Sequence, residues 1–179
     1  MGDVTDDLKD ITVTVTSPDG RIEGHMRGLR SVSFRFRFND YENYYRHGDV
    51  AVLEHQLARG ATLLATTYIK NRQEVMRRHG FTPFSSSRQP TTRRHREYLE
   101  KGAELKATGG SAGGEIRART RAMRDFKVKI DPVVFRRCDQ AEFLQLANAA
   151  MVGLRKDYDQ ALKSLRHTLY LKYRDQPNW

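Results

Sequence analysis

Residues 115–132 read EIRARTRAMRDFKVKIDP, and this stretch decides the fold class. From Ile116 to Arg121, small or apolar residues alternate with arginine: Ile116, Ala118 and Thr120 against Arg117, Arg119 and Arg121. A strand sends successive side chains to opposite faces, so the two sets separate. After a short turn at 122–124 the alternation resumes, with Phe126, Val128 and Ile130 against Lys127 and Lys129. Two such runs joined by a tight turn predict an antiparallel hairpin. Its apolar face must be covered. Its other face carries Arg117, Arg119, Arg121, Lys127 and Lys129, with Arg124 at the turn. Like charges facing one another across strands repel by a few tenths of a kcal/mol per pair. Only Glu115 and Asp125 stand near enough in the chain to offset them. Such clustering is what a polyanion rewards; a solvated outer face is the plainer reading of the same residues.

Downstream, Asp131-Pro132 stops the second strand, because proline has no ladder donor. Asp139 with Glu142 makes a capping box. Phe143, Ala147, Met151, Leu154, Tyr158, Ala161, Leu165 and Leu169 then recur at steps of three and four. They predict an amphipathic helix from Asp139 to about Tyr170, roughly 45 Å long. Such a helix is expected to pack against a second long helix. Asp157 and Asp159 point to different sides of it and suggest solvated surface. Upstream, residues 109–114 (GGSAGG) lack the Lys-Ser/Thr of a phosphate loop and are predicted to be a flexible joint between helix and hairpin.

The first half repeats these signals. Residues 1–10 are expected to be a polar lead-in. Ile11 to Thr16 alternates Ile/Val with Thr, Ser17-Pro18-Asp19-Gly20 makes a turn, and Arg21 to Arg27 returns as a strand. Ser31 to Phe38 places Val32, Phe34, Phe36 and Phe38 on one face and Arg35 and Arg37 on the other, which predicts a central strand covered by a helix. Tyr41, Tyr44, Tyr45, Arg46 and His47 suit either base stacking or a packed helical turn. Asp49 opens a helix to about His79, striped by Leu53, Leu57, Leu64, Tyr68 and Val75, and Gly80 stops it. Residues 85–92 form the linker. Arg93, Arg94 and Arg96 then start a short helix, where cations oppose the helix dipole and an anion would relieve them.

Strands followed by a long helix therefore occur twice, which predicts a tandem duplication: a first half over 1–84 and a second over 93–179. The second is expected to keep a leading helix that the first lacks. The fold class expected is α+β, with antiparallel hairpins or sheet and long amphipathic helices.

The order helix, glycine-rich loop, basic strand, turn, strand ending Ile130-Asp131-Pro132, and long helix with Ala149-Ala150 and Arg155-Lys156 resembles the YbaB/EbfC family. It covers about 91–170. Those are small bacterial nucleoid-associated DNA-binding proteins, dimers whose central β layer carries projecting helices. The resemblance implies that a duplicated chain would form an intrachain pseudo-dimer. It supplies no catalytic residues. Met151-Val152 stands where the family often has Asn-Asp.

Composition bounds the rest. Among 179 residues, 32 Lys and Arg outweigh 22 Asp and Glu, for a formal net charge of +10. Arginine predominates among these cations, which suits phosphate forks. Cys138 is the only cysteine, so no intrachain disulfide forms. The six histidines lack ligand spacing, so neither a metal nor another cofactor is expected. No signal peptide, membrane span or nucleophile–base constellation is evident, so a cytoplasmic location and no enzymatic activity are expected, and the YbaB/EbfC resemblance implies the nucleoid within it. The function expected is nucleoid-associated DNA binding, with RNA left open and little base readout, by a homodimer or an intrachain pseudo-dimer. Its contacts would be Arg117, Arg119, Arg121, Arg124, Lys127, Lys129, Arg35, Arg37, Arg93, Arg94 and Arg96. The alternative is a protein-interaction adaptor, as for YbaB-like proteins associated with type VII secretion.

Overall fold

The computed structural model describes residues 4–28, 31–81 and 92–176. The chain is α+β. Helix α1 (Val4–Lys9) precedes strands β1 (Thr12–Thr16), β2 (Ile22–Arg27) and β3 (Ser31–Phe36). A π-helical turn (Tyr41–Tyr45) leads into α2 (Val50–Arg78). Helix α3 (Arg93–Glu104) then precedes β4 (Lys106–Gly110), β5 (Ile116–Arg121) and β6 (Asp125–Ile130), and a short α4 (Pro132–Arg137) leads into α5 (Gln140–Tyr173). Two antiparallel sheets result, ordered β1-β2-β3 and β4-β5-β6.

The two sheets match bond for bond. Ser17 N–H donates to Ile22 O at 2.8 Å, and Ser111 N–H to Ile116 O at 2.9 Å. The Ser17 and Ser111 hydroxyls accept from the Ile22 and Ile116 amides. Gly20 and Gly114 both close their turns at φ 76°. Arg37 N–H donates to Arg21 O where Asp131 N–H donates to Glu115 O. The spacing throughout is 94 residues, which is also the separation of Tyr41 from Phe135, whose rings meet edge to face.

One buried cluster runs through both halves, from Ile11 and Leu53 to Phe143 and Leu154. Helix α2 lies across β1 and β2 but also across β6; α5 lies across β4 and β5 but also across β3. The long helices thus pack chiefly on strands, and α5 also on α3, rather than on each other as expected. Their caps follow the sequence: Asp49 accepts from Ala51 N–H, and Asp139 with Glu142 completes the capping box. The stripe Leu53, Leu57, Leu64, Tyr68 and Val75 is buried.

Several expectations are corrected. The first half has its own leading helix, α1, where a lead-in was expected. Residues Gly109 and Gly110 are not a joint but the end of β4. A Cβ on Gly109 would sit 2.1 Å from Leu154 N and 2.2 Å from Ala150 O, so α5 presses its backbone directly on this strand. Strand β3 is an edge strand, not a central one. It ends at Phe36; the chain turns at Arg37, and Phe38 adopts φ 50° and is 84% exposed rather than joining Phe34 and Phe36 inside. Tyr41 and Tyr45 are 0% and 1% exposed, packed against Phe36, so the base-stacking reading fails for both. Burial pushes both phenols above their ordinary range, keeping them neutral. Asp157 is not idle surface: it accepts the Thr108 N–H at 2.8 Å. The expected linker, apart from Thr92, lies outside the described residues.

Candidate nucleic-acid interface

The hairpin of 115–132 forms with its expected division of faces. In β5 and β6, Ile116, Ala118, Thr120, Phe126, Val128 and Ile130 are buried, while Arg117, Arg119, Arg121, Lys127 and Lys129 are exposed. The register sets three rows across the sheet: Gly110–Arg117–Lys129, Thr108–Arg119–Lys127 and Lys106–Arg121–Asp125. Neighbours across a row lie about 4.8 Å apart, and same-face neighbours along a strand about 6.7 Å. Lys106 joins this face, a cation that the sequence reading missed because β4 itself was missed.

Two cations are partly spoken for. Arg121 pairs with Glu104, and Lys129 Nζ lies 2.8 Å from Glu54 Oε2, although its side chain stays 75% exposed. Arg117, Arg119 and Lys127 form no ion pair among the described residues. Since Gly110 has no side chain, the long cations stand over a trough of about 610 Å³, floored by Thr108, Gly109 and Gly110 and walled by Arg117, Arg119, Lys127 and Lys129. Beyond β6 a second groove of about 450 Å³ separates that strand from α2. It shares Lys127 and Lys129 with the trough and adds Arg124, Arg59 and His55, along with Glu54 and Asp125. Arg59 and His55 carry no sequence signal of their own, because they sit on the polar side of an ordinary amphipathic helix.

The remaining expected contacts are elsewhere. Arg35 lies on the exposed face of the first sheet, 2.6 Å from Glu23. Arg37 donates to Gly20 O at 3.2 Å, at that sheet's rim. Arg93, Arg94 and Arg96 occupy the first turn of α3, whose cap Thr92 accepts from His95 N–H. That turn is some 16 Å along the helix from Glu104, the partner of Arg121. The structure therefore gathers Arg117, Arg119, Arg121, Arg124, Lys127 and Lys129 and leaves the other five outside.

Among the described residues, no three His, Cys, Asp or Glu side chains gather as a metal site requires, and no helix is long and apolar enough to cross a membrane. Compared with known proteins, the chain matches no family model, no curated protein and no solved structure.

Proposed function

We propose that this chain is a binding protein, not a catalyst, and that the outer face of β4–β6 takes the phosphate backbone of nucleic acid, DNA in the first instance. The observation that carries the reading is the row geometry of Arg117, Arg119 and Lys127, three exposed cations without a carboxylate partner among the described residues. Facing like charges destabilise a sheet, and phosphates relieve them by displacing condensed counterions. The exposed rows hold no aromatic side chain, so the face has no ring on which to stack bases. Contacts to phosphate alone position a protein without reading sequence. The reading extends to an intrachain pseudo-dimer of YbaB/EbfC type, supported by the 94-residue match of turns and ladders. It also extends to nucleoid association in the cytoplasm.

Fluorescence anisotropy with a labelled duplex, read over a salt series, tests this. Four or five phosphate contacts give a log–log slope of about −4. Replacing Arg117, Arg119 and Lys127 together by Ala is expected to flatten that slope by about 3 and to lower affinity about a hundredfold or more at low salt. An unchanged slope refutes the assignment. Capture of an acidic protein with no affinity for duplex supports the adaptor reading instead.

A further inference from the structure

Four strands form the rims of the two sheets, and their outward-pointing amides do not fare alike. On β3, Phe34 N–H donates to Asn148 Oδ1 of α5 at 2.9 Å. On β6, Ile130 N–H donates to Glu54 Oε1 of α2 at 2.9 Å. On β4, Thr108 N–H donates to Asp157 Oδ2 of α5. Each long helix thus sends a side chain to close a rim. The fourth rim, β1, receives none from the described residues. The ladder bonds Ser17–Ile22 and Gly28–Ile11 show that odd-numbered residues bond inward to β2. Thr12, Thr14 and Thr16 therefore aim their amides and carbonyls outward. Counting equally from the N-caps Asp49 and Asp139, α2 carries Thr67 where α5 carries Asp157, so the closing carboxylate is missing.

We infer that the open rim of β1 is an assembly site, where a second copy of this chain adds its own β1 in antiparallel register centred on Thr14. Residues 12–16 read TVTVT, uncharged, β-branched throughout and free of proline, the composition that favours strand addition at an edge. The pattern is palindromic. About a two-fold axis at Thr14, Thr12 meets Thr16 and Val13 meets Val15, so both faces match themselves as a two-fold contact requires. Each of the pairs Thr14–Thr14 and Thr12–Thr16 exchanges two backbone hydrogen bonds.

Charge also selects a second copy. A chain of net charge +10 repels itself, but at the first sheet Arg21, Arg27 and Arg35 each have a carboxylate partner. Glu23 lies between Arg35 and His25, and Asp10 pairs with Arg27. Joining here keeps the cationic troughs on the other sheets, away from the seam. The dimer presents two such faces, which suits holding two segments of one polyanion.

Sedimentation equilibrium of the full chain, with no nucleic acid present, tests the seam separately from the polyanion reading. The mass is expected to rise with concentration toward twice 20.7 kDa. A mass of 20.7 kDa throughout overturns the inference, and is also the outcome if the rim takes an extended peptide of another protein. Thr14→Pro removes an outward N–H that no ladder bond uses, along with the exposed contact of the Thr14 hydroxyl with His25 Nδ1, and is expected to give a monomer with unchanged circular dichroism. Should that variant misfold, Thr14→Lys and Thr14→Glu decide. Each alone is expected to dimerise more weakly than the parent, because like charges meet at the axis, and their mixture to recover. Equal association of both variants, the mixture and the parent places any dimer on another surface and overturns the inference.

Discussion

The two sheets share topology, turns and hydrogen bonds, yet their outer faces carry opposite electrostatic solutions. At matched positions Glu23 stands where Arg117 stands, His25 where Arg119 does, and Ser33 where Lys127 does. In the first sheet one carboxylate bridges Arg35 and, when protonated, His25. In the second, Arg117, Arg119 and Lys127 face one another with no such bridge among the described residues. Backbone and burial are common to both, so fold stability alone does not account for the unneutralised charge. The first sheet shows that the same scaffold can be finished with balanced charge.

The long helices sharpen the contrast. Helix α5 presses on β4 at Gly109, backbone against backbone, whereas at Gly24, under α2, a Cβ would meet side chains alone, Leu64 at 2.8 Å and Phe34 at 3.2 Å. Gly109→Ala is expected to cost about 3 kcal/mol in a denaturant titration, because neither helix nor strand backbone can yield. Gly24→Ala is expected to cost about 1 kcal/mol, since the Leu64 and Phe34 side chains can shift where a backbone cannot. Equal costs would mean that the two helices sit alike.

Glu54 is next. It is buried, accepts the Ile130 amide and reaches Lys129. Glu54→Ala is expected to cost about 1–3 kcal/mol by orphaning that amide, while tightening duplex binding by freeing Lys129. Weaker binding at unchanged stability would contradict the rim-closing role. The reverse experiment converts the first sheet: Glu23→Arg with Ser33→Lys reproduces the second sheet's central positions. It is expected to steepen the salt slope by about 2 and leave the circular dichroism spectrum unchanged.

The smallest effect concerns the leading helices. Helix α1 reaches α2 through Asp7 and His79, 2.7 Å apart, while α3 is clamped to α5 through Glu97, which meets Lys172, Tyr173 and Lys101. Lys101 first, then Lys172 and the Tyr173 hydroxyl, hold the Glu97 carboxyl down to about 2. A carboxyl depressed in the folded state stabilises it above the ordinary carboxylate pKa and loses that contribution as pH falls toward 2. Glu97→Gln is expected to flatten stability slightly between about pH 4.5 and pH 2, as read by thermal melts. The acid dependence should otherwise match the parent.

What the sequence made legible is what local chemistry controls. The hairpin follows from strict alternation over 116–121 and 126–130, and the long helices from their stripes and their Asp caps. What it hid depends on distant partners. Strand β4 reads as loop because Gly109 answers to α5, packed from some forty residues downstream. Phe38 continues an alternation that the turn at Arg37 cuts short. Arg35 and Arg121 look as free as Arg117 does, because Glu23 and Glu104 arrive from other elements.

The most direct test is to titrate the isotope-labelled chain with a short duplex and follow its backbone amide resonances. Shifts confined to β4, β5 and β6, largest from Arg117 to Lys129 and absent from β1 to β3, are the expected result. Shifts centred on the first sheet, or none at low salt, would contradict the assignment of the cationic face as the binding surface.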